Sequence, residues 1–534
     1  MQPGGTFKIM ELTSLLAVFL FLPKASGDNV LIWPVEGSHW INLRPIIDRL
    51  IERGHNVTVP VPMGTLFINY TKPSPIKFIV FEASFTSHDI ESIIQNFVDF
   101  WMYKYSHSSH WEIYQHIAAM KTNVTNWNRH VCDGILKNSK LMHNLEQSNF
   151  KVLLSDPVSY CGDLVALKLG IPFIYTLRFS LASAMERLCG QLPAPPSYVP
   201  AVMSELSEKM NFTERTKNVL YLLMYDLMSI WFWNAWDLYY SEVLGEPTTF
   251  CETMGKADIW LIRTYWDFDY PRPFLPNFVF VGGIHCRPAK SLPQEMEEFV
   301  QSSGEHGIVV FTLGSMIKNL TAERADVIAA ALGQIPQKVL WRYAGEKPKT
   351  LAPNTKLYDW LPQNDLLGHP KTRAFITHGG TNGIYEAIYH AVPLIGIPIF
   401  ADQPDNMSHM KEKGMAVVLN FNTMTTLDLV DALNTVINDP RYKENAIRLS
   451  SIQHDQPMTP LDTAVFWIEF VMRHKGAKHL RPASHSLTWY QYHSLDVIAF
   501  LCFCLAVALY IPIKCCMYCF RRCRSKLKRK GKKD

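Results

Sequence analysis

The most constraining feature of this chain is a short apolar run that stops at two glycines and opens directly into helical spacing. Residues 374–377 are apolar and β-branched, Gly379 and Gly380 break the run, and Ile384, Ala387, Ile388 and Ala391 then recur at helical intervals. Strand, tight turn and helix in that order read as one unit of an open α/β sheet, whose ligands sit outside the carboxyl ends of the strands. A helix entered through glycine keeps its first amide donors free and presents the positive end of its dipole. A phosphate over Gly380, Thr381 and Asn382 would therefore be held without a metal. His378, at the strand's end, can donate a further hydrogen bond to it.

A bare His-Gly-Gly is more often a plain helix-start turn beside a core histidine, and the neighbouring residues decide against that here. Glu386 lies one and a half turns into the same helix, where its carboxylate can accept both hydroxyls of a ribose. Trp360 offers a face for stacking a base, and Gln363 an amide for the base edge or the sugar hydroxyls. Downstream, residues 392–400 read as a buried strand that delivers Asp402 and Gln403 into the same crevice.

The wording WLPQNDLLGHPKTRAFITHGG followed by FADQPDN resembles the signature of the UDP-glycosyltransferases, and most closely the vertebrate UDP-glucuronosyltransferases of family 2. By position, the resemblance implies Trp360 as the uridine stacker and His378, Gly380, Thr381 and Asn382 as diphosphate ligands. It implies Glu386 as the ribose carboxylate and Asp402 and Gln403 as the pair that reads the donor sugar. The implied fold is α/β, two facing doubly wound Rossmann-like domains of the GT-B type plus a C-terminal transmembrane helix.

Composition agrees with a globular body. The 534 residues are 48% apolar and 19% charged, which excludes disorder and gives material for two or three domains. The formal charge of +4 comes from the last 21 residues, which hold ten Lys or Arg against one Asp. A basic excess confined to one terminal run, without interleaved aromatics, excludes a nucleic-acid partner. Of eleven cysteines, Cys132, Cys161, Cys189, Cys251 and Cys286 fall in the body, at spacings that do not suit zinc. They permit one or two disulfides in an oxidising lumen and leave at least one thiol. The other six lie in or just after the terminal apolar run, as palmitoylated or lipid-compatible residues would.

Lys8, the apolar residues 12–22 and Ala25-Ser26-Gly27 have the order of a secretory signal peptide, with cleavage before Asp28. Residues 29–33 read as a strand, 39–53 as a helix and 56–60 as a returning strand, a βαβ unit that opens a doubly wound sheet. His39 stands at its loop-to-helix junction. There WPVEGSHW is similar to the family segment whose histidine is the catalytic base, and the resemblance makes Asp156, after a strand at 151–155, its partner. A helix at 159–169 and a strand at 172–177 follow. Residues 86–146 show helical stretches and no clear strand, suited to an acceptor pocket or to plain helical packing. Residues 221–240 read as an acceptor-lining or membrane-apposed helix rather than a span, because Asp226, Asn234 and Asp237 interrupt them.

Asp267 and Asp269 form an Asp-x-Asp pair that could by itself hold a divalent metal and a diphosphate. They lie in an aromatic run, and the helix terminus already serves the phosphate, so they are read as structural. Arg263 matches a family position facing the donor and is the candidate contact for the sugar carboxylate. Residues 271–293 read as a connector. A second series then runs strand 308–312, helix 322–335, strand 338–342, with Ser315 in LGSM able to add a hydroxyl to the diphosphate. Helices at 426–438, 442–451 and 461–474 follow, the last of which crosses back to the first domain in the family.

Residues 497–513 carry no charge over 17 positions, enough to span a membrane, and the basic residues after them place the tail in the cytosol. Lys530 and Lys532 fit the KxKxx pattern of endoplasmic-reticulum retrieval. The expected divisions are therefore 1–27 signal peptide, 28–280 acceptor-binding domain, 281–475 UDP-sugar-binding domain with its return helix, 476–496 juxtamembrane segment, 497–513 span and 514–534 tail. Six sequons occur; Asn69, Asn123, Asn211 and Asn319 are the glycosylation candidates. Asn406 is set aside as part of the donor site and Asn56 as the start of a core strand.

The resemblance implies inverting transfer of glucuronic acid from UDP-glucuronic acid to a hydroxyl of a small lipophilic acceptor such as a steroid, bile acid, phenol or xenobiotic. No metal or other cofactor is expected, with His39 as general base and Asp156 as its partner. The same scaffold could carry another sugar, glucose first, and a silent lumenal binding subunit would have lost His39 or His378, both of which are present. The expected setting is the endoplasmic reticulum membrane, single-pass type I, body in the lumen, with homo- or hetero-oligomers of related transferases admitted.

Overall fold

The computed structural model describes residues 27–177, 183–317 and 319–530, with side chains placed to residue 525. The expected signal peptide, apart from Gly27, lies outside the described residues. Two all-parallel sheets form the body. The first runs β1 (Asn29–Ile32), helix α1 (Ser38–Glu52), β2 (Asn56–Pro62), β3 (Lys77–Phe81), α2 (His110–Leu136), β4 (Phe150–Ser155), α3 (Gly162–Leu169), β5 (Phe173–Leu177), α4 (Phe212–Leu244), β6 (Ile259–Ile262) and β7 (Phe278–Phe280). Its strand order is β3-β2-β1-β4-β5-β6-β7. The central strands read as continuous apolar runs because both faces are covered. Leu31, Trp33, Leu153 and Tyr175 face a core shared with α2, α3 and α4. Val30, Ile32, Val152 and Ile174 face the opposite core, shared with α1.

The second sheet comprises β8 (Ile308–Thr312), β9 (Lys338–Arg342), β10 (Thr355–Tyr358), β11 (Thr372–Thr377), β12 (Leu394–Gly396) and β13 (Ala416–Val418), in the order β10-β9-β8-β11-β12-β13. Helix α5 (Thr381–Tyr389) follows β11, and α6 (Gln403–Glu412) follows β12. The last body helix, α7 (Pro460–His474), does return to the first sheet. Its Ala464, Val465, Ile468 and Val471 complete the α1 core, Arg49 reaches Asp462 at 2.5 Å, and Arg53 reaches Glu469 at 2.8 Å.

Several boundaries differ from the sequence reading, for physical reasons. Strand β3 is a half-exposed edge, and β7 lies inside the stretch read as a connector. The expected strand 392–400 joins the ladder only at Leu394–Gly396. Pro393 and Pro398 bracket it, and neither has an N–H to extend the pairing. Helix α4 runs 33 residues rather than 20, because Asn211 and Glu214 form a capping box at its start and Gly245, with φ 76°, ends it. Helix α3 starts at Gly162, since Cys161 before it has φ 73° and is bonded to Cys132. Cys189 pairs with Cys251, and Cys286 stays a thiol, within the range the sequence allowed.

The body extends to Leu480, and residues from Arg481 onward form a second unit. That unit is dominated by helix α8 (Leu495–Lys530), far longer than the expected 497–513. Within its Leu495–Ser525 segment an 18-residue stretch reaches mean hydropathy 2.4 with no residue buried, which makes it a candidate membrane anchor.

Candidate active site

The first half of the site follows from strand adjacency. Strands β1 and β4 pair directly, so the segments leaving their carboxyl ends emerge side by side. Gly37 turns the chain with φ 65°, and His39 occupies the first turn of α1. Its Nδ1 lies 2.6 Å from Oδ2 of Asp156, the residue that follows β4, across 117 positions of sequence. Asp156 is fully buried while the His39 side chain remains 18% exposed. Asp156 also accepts from the Val158 N–H at 3.1 Å.

Arg263, expected on the donor side, is found here instead. It follows β6, is 5% exposed, and its Nη2 donates to the same Asp156 Oδ2 at 2.6 Å. Strand order explains the correction, because β6 belongs to the first sheet and delivers its next residue to that sheet's carboxyl edge. Burial alone would raise the Asp156 carboxyl, but the charges of His39 and Arg263 overcome it and hold the group at about 2. With Asp156 ionised, Nδ1 of His39 carries the proton and Nε2 is the basic nitrogen.

The second half is built around β11, His378 and α5. Gly379 has φ 86°, and a Cβ there would sit 2.6 Å from Met407 Cγ, so the turn excludes any other residue. Gly380 caps α5 without any side-chain bond to the first amides. A Cβ on Gly314, in the turn that carries Ser315, would come within 2.5 Å of His378 Nε2, and one on Gly380 within 2.6 Å. The imidazole is thus cradled between the two glycine turns, which brings Ser315, His378, Gly380 and Thr381 to one place.

The remaining donor candidates surround that turn. Gln363 Nε2 donates to Glu386 Oε2 at 2.5 Å, and burial pushes the Glu386 carboxyl up to about 7. Trp360 is 65% exposed, with the Arg342 guanidinium 5.3 Å from its ring centroid and bonded in turn to the Gly314 carbonyl. Thr381 Oγ1 donates to Asp402 Oδ2 at 3.2 Å. Gln403 turns its carbonyl oxygen to the amides of Ile399 and Phe400. Asn406 is buried and donates to the Gly379 carbonyl and to Asp402. Among the sequons, Asn69, Asn123, Asn211 and Asn319 are exposed, and Asn56 is exposed too, so burial does not set it aside.

Three features were absent from the sequence reading. Asn42 Nδ2 donates to Asn382 Oδ1 at 3.0 Å, joining α1 to α5. His285 Nε2 lies 3.1 Å from the Asn382 carbonyl and 3.9 Å from Glu386. Asp405 accepts the backbone amides of Met203 and Glu205, at 2.5 and 2.9 Å. A signal existed for Asn42, a polar residue on an otherwise apolar helix face. Asp267 and Asp269 are both buried, with Asp269 3.7 Å from Arg272. Among the described residues no group of three metal-ligating side chains converges.

Comparison with known proteins agrees with this geometry. The family model described as "UDP-glucoronosyl and UDP-glucosyl transferase" matches residues 28–530. The chain is 62% identical to UDP-glucuronosyltransferase 2A1 of Mus musculus over 510 residues, covering 95% of this chain and 96% of the relative. It is 61% identical to UDP-glucuronosyltransferase 2A2 of Homo sapiens, covering 92% of each. The spinosyn forosaminyltransferase SpnP shares the fold at TM-score 0.57 and 17% identity, over 84% of this chain and all of that one. Two facing Rossmann-like lobes of the GT-B kind, a histidine–carboxylate pair on one and a glycine-entered helix on the other thus meet a match over nearly the whole sequence, and the chain belongs to the UDP-glucuronosyl and UDP-glucosyl transferase family, among its vertebrate family 2 members.

Proposed function

We propose that this protein transfers glucuronic acid from UDP-glucuronic acid to a hydroxyl of small lipophilic acceptors, by direct displacement with inversion and without a metal. The observation that carries the mechanism is the 2.6 Å contact between His39 Nδ1 and the buried Asp156. It leaves Nε2 of His39 to take the acceptor's hydroxyl proton as the oxygen bonds to the sugar carbon. Asp156 then stabilises the imidazolium, and Arg263 keeps Asp156 ionised. The bond from that carbon to the diphosphate breaks, and UDP leaves with the electron pair. The uncapped amides of Gly380, Thr381 and Asn382, with His378 and Ser315, stabilise the charge that collects there. Glu386 and Gln363 hold the ribose, Trp360 the uracil, and Asp402 and Gln403 the sugar.

In this reading residues 28–280 bind the acceptor and 281–475 the donor. The apolar helix anchors the chain in the endoplasmic reticulum membrane, with the body lumenal and the tail cytosolic. The 62% identity to a UDP-glucuronosyltransferase supports the choice of sugar. The test is a donor competition: membranes containing the protein, a phenol acceptor, and UDP-glucuronic acid against UDP-glucose with EDTA present. Glucuronide should dominate the product at an undiminished rate, and a glucoside as main product would refute the assignment.

A further inference from the structure

The two halves of the site belong to different sheets, and two side-chain hydrogen bonds join them through α5: Tyr385 Oη donates to Thr264 Oγ1 at 3.3 Å, and Asn42 bonds Asn382 nearer the helix start. His39 and Asn42 are three residues apart on α1 and so share a face of it. Asn42 is 1% exposed, and its amide donates to Asn382 Oδ1 at 3.0 Å. Asn382 is the second residue of α5, so its own N–H belongs to the set of amides that would receive the diphosphate. On its other side, the Asn382 carbonyl accepts from His285, which lies between β7 and β8, at 3.1 Å. The residue is therefore held through its side chain by the helix of the base and through its main chain by the segment joining the two sheets.

We propose that Asn42 is a positioning residue for glycosyl transfer: its bond to Asn382 sets the reach from His39 to the sugar carbon on the diphosphate. This rests on His39 being the base and on the α5 terminus being the diphosphate seat. A base must come within hydrogen-bond range of the proton it removes, and a misplacement of about 1 Å costs on the order of a hundredfold. The base and the diphosphate seat follow different sheets of the body, so their separation depends on contacts between the elements of those sheets. Tyr270 Oη, 2.5 Å from Glu412, is one such contact, at the far end of α6. The Asn42–Asn382 bond lies at the catalytic ends of both helices and constrains the distance directly.

The test uses two variants of the full-length chain. Asn42→Leu keeps the branched shape and removes the donor; Asn42→Ser keeps a polar group too short to reach. Each is measured for melting temperature, UDP affinity by calorimetry, and kcat and KM for UDP-glucuronic acid with a phenol acceptor. Each is then combined with His39→Ala, with residual turnover read from radiolabelled product. UDP affinity and donor KM should stay within about threefold of the parent while kcat falls by about tenfold to a hundredfold. Added to His39→Ala, the substitutions should cause no further loss, because a residue that acts through the base has nothing to act on once the base is gone. A general packing role would slow the His39→Ala enzyme by the same factor. Unchanged kcat in Asn42→Ser, lost UDP affinity in that variant, or full additivity with His39→Ala would each overturn the proposal while leaving the base assignment standing. A His39→Ala enzyme of parental rate would overturn both.

Discussion

Replacing Asp156 by Asn removes one charge from a buried cluster of three groups, and the structure sets the scale of the damage. Asp156 accepts from His39, Arg263 and the Val158 amide, and is fully buried. Its carboxyl is held at about 2 against a reference of 3.8, with burial opposing and the charges of His39 and Arg263 prevailing. That difference corresponds to about 2 kcal/mol favouring the ionised form. The contribution is fully present above pH ~4 and is lost as the pH falls towards ~2. The carboxamide also leaves Arg263 without its carboxylate, and breaking a buried pair from one side costs about 3–5 kcal/mol. It further places an N–H₂ where two donors already converge, so His39 loses its orientation and the countercharge for its imidazolium. Asp156→Asn should therefore unfold at lower urea by that amount and lose about a hundredfold to ten-thousandfold in kcat, the range of a positioned base. UDP affinity, which depends on the other sheet, should hold. Urea titration, calorimetry with UDP and initial rates on one preparation decide it. A variant that keeps kcat within threefold would refute the assignment of Asp156 as the partner of a working base.

Four further outcomes are expected. His39→Ala should lose kcat on that same scale with UDP affinity nearly intact, whereas His378→Ala should weaken UDP binding as well, since its hydrogen bond serves ground and transition states alike; equal loss of UDP affinity in both would assign His39 to the donor. Glu386, Asp267 and Asp269 are each raised to about 7 by burial. Their protonated forms favour the folded state and that benefit disappears as the pH rises through 7, so the ligand-free melting temperature should be lower at pH 8 than at pH 6, and a rise would contradict the burial argument. Cys132→Ser opens a loop of 29 residues and should cost about 3–4 kcal/mol in chemical denaturation. Protease added to sealed microsomes should clip only the basic tail, and digestion of the body without detergent would reverse the proposed topology.

How much was legible in the sequence depended on where each residue's partners lie. The β11–α5 turn was readable because strand, glycines and helix are contiguous and each has its own local signal, and α1 and β8 were readable for the same reason. Edge strands β3, β7 and β10 were not, because runs of three to five residues are too short for periodicity to separate strand from loop. Arg263 was misplaced because its partner is 107 residues away, a distance that only strand order fixes. Asn42 and Asn382 are 340 residues apart, and each on its own looks like an ordinary polar residue near a helix start.

The return of α7 to the first sheet has a consequence for how the protein is made. That sheet ends at Phe280, yet the face that α1 partly covers is completed only when Pro460–His474 arrives, roughly 200 residues later. At a synthesis rate of about 5–20 residues per second the gap is roughly 10–40 s. Throughout it, α1 alone covers that face, and the part later packed against Ala464, Val465, Ile468 and Val471 stays open. Any product that stops short of Pro460, through a frameshift or an early stop, would complete the second sheet and still present that partly open face to quality control. Such a product would be marked for disposal by its first sheet, although its missing residues are all C-terminal.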